Sequence, residues 1–139
     1  GGHSDKTMVP LTSVATYRGI PVKQLLSKEQ LDDAVAQTKV GGATLTGLLG
    51  TSAWYAPGAA AAAMVEAIAL DAGKLIPCCV YLDGEYGEKD LCIGVPVLLG
   101  KNGVEKIVEY KLEGDEKAKF DESVAAARNT NSKLGDALK

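Results

Sequence analysis

Leu75-Ile76-Pro77-Cys78-Cys79-Val80-Tyr81-Leu82 and Leu91-Cys92-Ile93-Gly94-Val95-Pro96-Val97-Leu98-Leu99 are apolar runs, Val104-Glu105-Lys106-Ile107-Val108 follows them, and turn chemistry separates the three. Asp83-Gly84-Glu85-Tyr86-Gly87 breaks the first pair. Lys101-Asn102-Gly103 breaks the second, with Asn-Gly as the hairpin signal. The spacing predicts a meander of antiparallel strands. Pro77 and Pro96 have no amide hydrogen to give to a ladder, so each is expected at a strand end, an edge or a bulge.

Outward from this meander the signals are helical. Ser27 suits an N-cap, with Gln30 completing a capping box. Leu31, Val35 and Thr38 follow at helical spacing, with Asp32, Asp33 and Lys39 for the wet side. Gly41-Gly42 is expected to kink or end that helix, and Leu45, Leu48 and Leu49 continue a stripe up to Gly50 as a stop. Thr51-Ser52 is a second capping signal. Residues 59–72 then read as an Ala-rich helix with Pro57 near its first turn, apolar on most sides and so buried or at a subunit interface. Residues 12–22 read as a hairpin turning at Arg18-Gly19-Ile20-Pro21. A last amphipathic helix is expected from Asp115 to about Leu134, with Ala118, Val124, Ala125 and Leu134 inward. Helices and strands are segregated along the chain, which predicts an α+β fold, an antiparallel sheet packed with helices.

A length of 139 residues with 46% hydrophobic side chains suits one globular domain, residues 1–139, with its own core. The net charge of −3, without a basic run, argues against nucleic acid or an anionic membrane as partner. The apolar run of residues 59–70 is too short to span a bilayer, and Glu66 interrupts it. The opening Gly1-Gly2-His3-Ser4-Asp5-Lys6 has no signal-peptide regions. Cys78, Cys79 and Cys92 are odd in number and lack C-x-x-C spacing. They read as reduced thiols buried in strands of a cytoplasmic protein, with no metal site.

Catalytic raw material is scarce. His3 is the single histidine, and beside Gly1, Gly2, Ser4 and Asp5 it reads on its own as surface more readily than as a catalyst. The glycine pairs do not make a G-x-G-x-x-G loop, and no Walker-type lysine follows them. The carboxylates are spread over helix faces and read as solvated.

Order and detail together carry a resemblance. Gly1-Gly2-His3-Ser4-Asp5 with Thr7-Met8-Val9-Pro10-Leu11, then Gly19-Ile20-Pro21-Val22, Gly41-Gly42-Ala43 and Thr51-Ser52-Ala53-Trp54-Tyr55-Ala56-Pro57, resemble malate dehydrogenases of the lactate-dehydrogenase-like type. The likeness runs on through residues 76–87, Gly94-Val95-Pro96-Val97 and residues 100–107, so it covers nearly the whole chain. Two departures stand in the first motif: Ser4 replaces a glycine, and Lys6 intervenes before Thr7-Met8.

The resemblance implies the C-terminal, substrate-binding half of such an enzyme. An upstream Rossmann half would supply the dinucleotide loop, the arginines that grip substrate carboxylates and the aspartate that orients the histidine. It implies NAD as cofactor, malate and oxaloacetate as substrates, and a homo-oligomeric parent, dimer or tetramer. His3 would be the general acid/base, a role suited to an imidazole's intrinsic pKa. Ser52 and Ala53 would line the substrate pocket and Pro57 would pack near the nicotinamide ring, with helix-start packing as the plainer reading of Ala53 and Pro57. A lactate or other 2-hydroxy-acid dehydrogenase, and a non-catalytic oligomerisation module, remain the alternatives.

Overall fold

The computed structural model describes residues 1–135, and their elements follow the expected order. A two-stranded ribbon, β1 (Thr16–Tyr17) and β2 (Ile20–Pro21), leads into a one-turn helix α1 (Val22–Leu25) and then α2 (Lys28–Leu49) and α3 (Tyr55–Ala69). The meander follows as β3 (Lys74–Asp83), β4 (Lys89–Gly100) and β5 (Gly103–Ile107), and α4 (Glu116–Ser132) closes the chain. The sheet order β3-β4-β5 is antiparallel throughout, as the α+β expectation requires. The chain divides into two compact units: Gly1–Thr44 with the segment from Lys111 onward, and Leu45–Tyr110.

In the first unit the hairpin turns on Arg18 and Gly19 alone, both at positive φ (50° and 84°), the type I′ pattern that matches strand twist. The capping box before α2 forms as expected. Ser27 Oγ accepts from the Gln30 amide at 3.2 Å, and Gln30 Oε1 accepts from the Ser27 amide at 2.9 Å. Gly41-Gly42 neither kinks nor ends α2, which runs on to Leu49 and stops where Gly50 takes a positive φ of 67°. The half-buried stripe of α2 is Leu31, Val35 and Lys39, spaced by four. Thr38 is exposed and folds its hydroxyl back onto the Ala34 carbonyl, while Lys39 is half-buried on the side of Leu31 and Val35.

α4 departs most from its expected face. Its buried residues are Glu116, Phe120, Ser123 and Val124, whereas Ala118, Ala125 and Leu134 are exposed. Only Val124 was placed correctly, because an apolar pattern assigns a glutamate and a serine to water. Here both have partners in the chain's first thirteen residues. Glu116 Oε1 accepts from the Ser13 amide at 2.9 Å. Its Oε2 accepts from the Ser13 hydroxyl at 2.7 Å and from the Glu113 amide at 3.1 Å. A buried carboxylate is tolerated when its lone pairs are filled in this way.

The second unit is built on the sheet. Along β4, residues 91, 93, 95, 97 and 99 are buried and the positions between them are not, so one sheet face is covered despite the continuous apolar sequence. Leu82, Leu91, Ile93 and Val97 lie in that core, each stabilised by about 1.5–3 kcal/mol relative to exposure. α3 packs on β4 with Ala67 fully buried, yet Met64, Val65 and Leu70 are exposed, so the helix is not covered all round by the described residues. α3 also begins four residues before the expected start. Trp54 occupies its cap position with no side-chain cap, so Thr51 and Ser52 do not cap it. Of the cysteines only Cys78 is buried, and burial pushes its thiol up; Cys79 and Cys92 fall on the open sheet face.

Pro77 and Pro96 stand opposite one another inside the β3–β4 ladder. Pro77 lies on an edge strand, as expected, but Pro96 lies on the central one. The Pro96 carbonyl accepts from the Val108 amide at 2.9 Å, so its nitrogen also faces the β5 side and the β3–β4 ladder loses nothing. The absent donor falls where β5 has ended. There the Tyr86 hydroxyl donates to the Val108 carbonyl at 2.8 Å and accepts from the Tyr110 amide at 3.1 Å. At the other turn Gly103 has φ 87° and the register shifts between Leu98 and Leu99, so Asn-Gly closes the hairpin through a bulge.

The pH dependence of Glu116 follows from its bonds. Burial pushes its carboxyl up, but the hydrogen bonds from Ser13 and Glu113, with Lys23 nearby, outweigh burial and hold it below the ordinary value of 4.5. The folded state therefore binds fewer protons than the unfolded one, and this stabilisation is complete above about pH 4.5 and fades as pH falls through the lowered value. Glu116→Gln turns an N–H₂ toward an N–H donor and should destabilise the chain by about 1–3 kcal/mol at pH 7. Chemical denaturation at several pH values should show that gap narrowing below pH 4.5. A gap that is constant with pH would contradict the role of the charge.

Candidate active site

The first seven residues form a closed loop. The Gly2 amide donates to the Thr7 carbonyl at 3.1 Å and to Ser123 Oγ at 2.6 Å. Across the loop, the Met8 amide donates to the Ser4 carbonyl at 2.9 Å, and the Thr7 amide donates to Ser4 Oγ at 3.1 Å. The Ser4 and Thr7 hydroxyls pair at 2.7 Å. These bonds account for both departures in the motif. Ser4 brackets the turn from its side chain, and Lys6 is the residue that the turn accommodates.

His3 sits between these two held points with its side chain exposed. Among the described residues no hydrogen bond or ion pair reaches its ring, and no carboxylate orients it. The glycines before it are required by close approach. A Cβ on Gly1 would lie 2.6 Å from the Thr7 carbonyl oxygen and 2.8 Å from Val9 Cγ2, and one on Gly2 would strike the Thr7 hydroxyl.

The other expected site residues lie in the second unit, at the start of α3. Ala53 is half-buried, and Ser52 and Pro57 are exposed. The Ser52 carbonyl accepts from the Trp54 amide at 3.0 Å, and Pro57 occupies the first turn of α3, where a missing amide hydrogen costs nothing. The structure thus gathers Ser52, Ala53 and Pro57 on one helix start, while His3 belongs to the first unit. Trp54 and Tyr55 next to them are exposed, with ring centroids 6.5 Å apart.

A groove of about 470 Å³ in the first unit is lined by Met8, Leu31, Val35, Lys39 and Glu116, among others, but not by His3. Two of its lysines are already paired, Lys28 with Asp32 and Lys119 with Asp115. Among the described residues no group of three or more histidine, cysteine, aspartate or glutamate side chains is placed to hold a metal ion, and no helix is long and apolar enough to cross a membrane. The residues that sequence reasoning missed are Thr7, Ser13, Glu116 and Ser123. Their one signal is spacing: Glu116 and Ser123 lie seven residues apart on the stripe that also carries Phe120 and Val124.

Comparison with known proteins identifies the family. The sequence matches the lactate/malate dehydrogenase, alpha/beta C-terminal domain, over residues 1–135. It is 65% identical to a malate dehydrogenase of Parabacteroides distasonis over 134 residues, 96% of this chain and 43% of that protein. Its structure superposes on malate dehydrogenase from Salinibacter ruber with a TM-score of 0.88 at 49% identity, covering all of this chain and 46% of the other. It also superposes on a Cryptosporidium parvum lactate dehydrogenase solved with lactic acid and nicotinamide adenine dinucleotide, with a TM-score of 0.90 at 35% identity, covering 98% and 44%. The chain spans less than half the length of these relatives. It belongs to the lactate/malate dehydrogenase family, as that family's α/β C-terminal domain.

Proposed function

We propose that this chain is the C-terminal domain, residues 1–139, of an NAD-dependent malate dehydrogenase, with His3 as the general acid/base that moves a proton at the C2 oxygen of malate and oxaloacetate. The observation that carries the reading is an exposed imidazole on a loop whose backbone is held at Gly2 and at Ser4. A neutral imidazole can take the hydroxyl proton as malate is oxidised, and the imidazolium can return it to the carbonyl oxygen in reverse. Identity of 65% to a malate dehydrogenase supports malate over lactate, whereas the fold is shared by both kinds of enzyme.

In the same reading Ser52 and Ala53 face the substrate and Pro57 packs against the nicotinamide. The residues fit this in part. An exposed proline ring in the first turn of α3 offers a flat apolar face to an aromatic ring, but the α3 start has no glycine-rich phosphate cradle. NAD⁺, when bound, would supply the hydride acceptor. Grip on the pyrophosphate and on the substrate carboxylates is assigned to a Rossmann half outside this chain. A cytoplasmic homo-oligomer is part of the same proposal. Exposed Leu48, Leu49, Val65 and Leu70 support association, since apolar surface of this kind favours burial against another chain.

Two measurements test the reading. The chain alone, with malate and NAD⁺, should show no turnover, because transition-state stabilisation would be spread over groups it lacks. Turnover by the purified chain would contradict that. In a complete dehydrogenase carrying this chain, His3→Asn should lower kcat by about 10²–10⁴-fold while the Kd for NADH changes less than about twofold. A kcat above about a tenth of wild type, with chemistry rate-limiting, would remove His3 from the acid/base role.

A further inference from the structure

We propose that Ser123 is a positioning residue for His3, an inference that rests on the acid/base reading above. The side chain of His3 has no hydrogen-bonded partner among the described residues, so the direction of its ring follows from its backbone. That backbone is held on one side by Ser4 and on the other by the Gly2 amide. Two acceptors share this amide, Ser123 Oγ at 2.6 Å and the Thr7 carbonyl at 3.1 Å.

The two acceptors are not equivalent. Thr7 belongs to the loop itself and moves with it. Ser123 stands in the middle of α4, is 1% exposed, and is flanked on the same helix face by buried Phe120 and Val124. Its hydroxyl is therefore a point fixed to the core, and it holds the loop at the Gly2 amide. Gly1 confirms how closely the loop lies on the helix, since a Cβ there would come within 3.2 Å of the same Oγ. An alanine at 123 would leave the Gly2 amide with a single acceptor that travels with the loop, so the peptide leading into His3 would lose this fixed acceptor. General acid/base catalysis depends on such placement, and a displacement of about 1 Å can cost about 10²-fold in rate.

The test uses a complete dehydrogenase carrying this chain. Ser123→Ala is expected to lower kcat about tenfold or more while the KM for NADH stays within about twofold. Val124→Ala truncates the neighbouring buried side chain without removing a bond to the loop, and it should keep kcat within about twofold. Retention of more than half of wild-type kcat by Ser123→Ala would overturn the inference, and so would an equal loss in Val124→Ala. If Ser123→Ala does not fold, Gly2→Ala presses the same peptide against the Thr7 hydroxyl, with only ordinary contact, 3.4 Å, to Ser123 Oγ and no change on the helix itself. It should give the same loss confined to kcat, and an unchanged kcat would overturn the inference. His3→Asn is measured alongside. Activity in that variant would reject the acid/base reading itself, whereas an inactive His3→Asn beside a normal Ser123→Ala rejects the role of Ser123 alone.

Discussion

Two polar side chains on the buried face of α4, Glu116 and Ser123, hold the first thirteen residues of the chain in place. They stand seven residues apart, two helical turns, with Phe120 between them supplying apolar contact. Glu116 binds the amide and hydroxyl of Ser13, and Ser123 binds the amide of Gly2. Neither group would be tolerated in the core unpaired, so the N-terminal segment satisfies the helix as much as the helix orders the segment. The histidine's loop, which has little secondary structure of its own, thereby acquires a rigid reference.

The fold was legible in sequence wherever chemistry was local. The capping box at Ser27 and Gln30, the stop at Gly50 and the Asn-Gly turn arise from contacts within a few residues, the three strands are marked by the turns that bound them, and all formed. Failures had local and distant causes. Gly41-Gly42 stayed helical because two glycines weaken a helix of 22 residues without offering an alternative backbone path. Pro96 entered a central strand because the one donor it lacks falls beyond the end of β5, where Tyr86 replaces it. No local pattern reports that substitution, since Tyr86 and Val108 are 22 residues apart. The inner face of α4 was misread for a related reason: burial of Glu116 and Ser123 depends on partners more than one hundred residues away.

The site divides along the same line. His3 and the α3 start are proposed through resemblance, because their residue types and order are distinctive. The residues that hold His3 were not, because a serine and a threonine are common in every helix and loop. Their role appears only when Gly1 and Gly2 are seen packed against them. Membership of the lactate/malate dehydrogenase family gives the chemistry its context, while the loop's own hydrogen bonds explain how this sequence absorbs Ser4 and Lys6 within it.

Native-state amide hydrogen exchange, read residue by residue by NMR, tests the anchoring of the N-terminal segment most directly. If α4 holds that segment, the amides of Gly2 and Ser13 are protected and exchange together with those of Phe120 and Val124 in the helix, as one cooperative unit. Free exchange at Gly2 and Ser13 beside a protected α4 would show that the segment moves independently of the helix, and the account would be wrong.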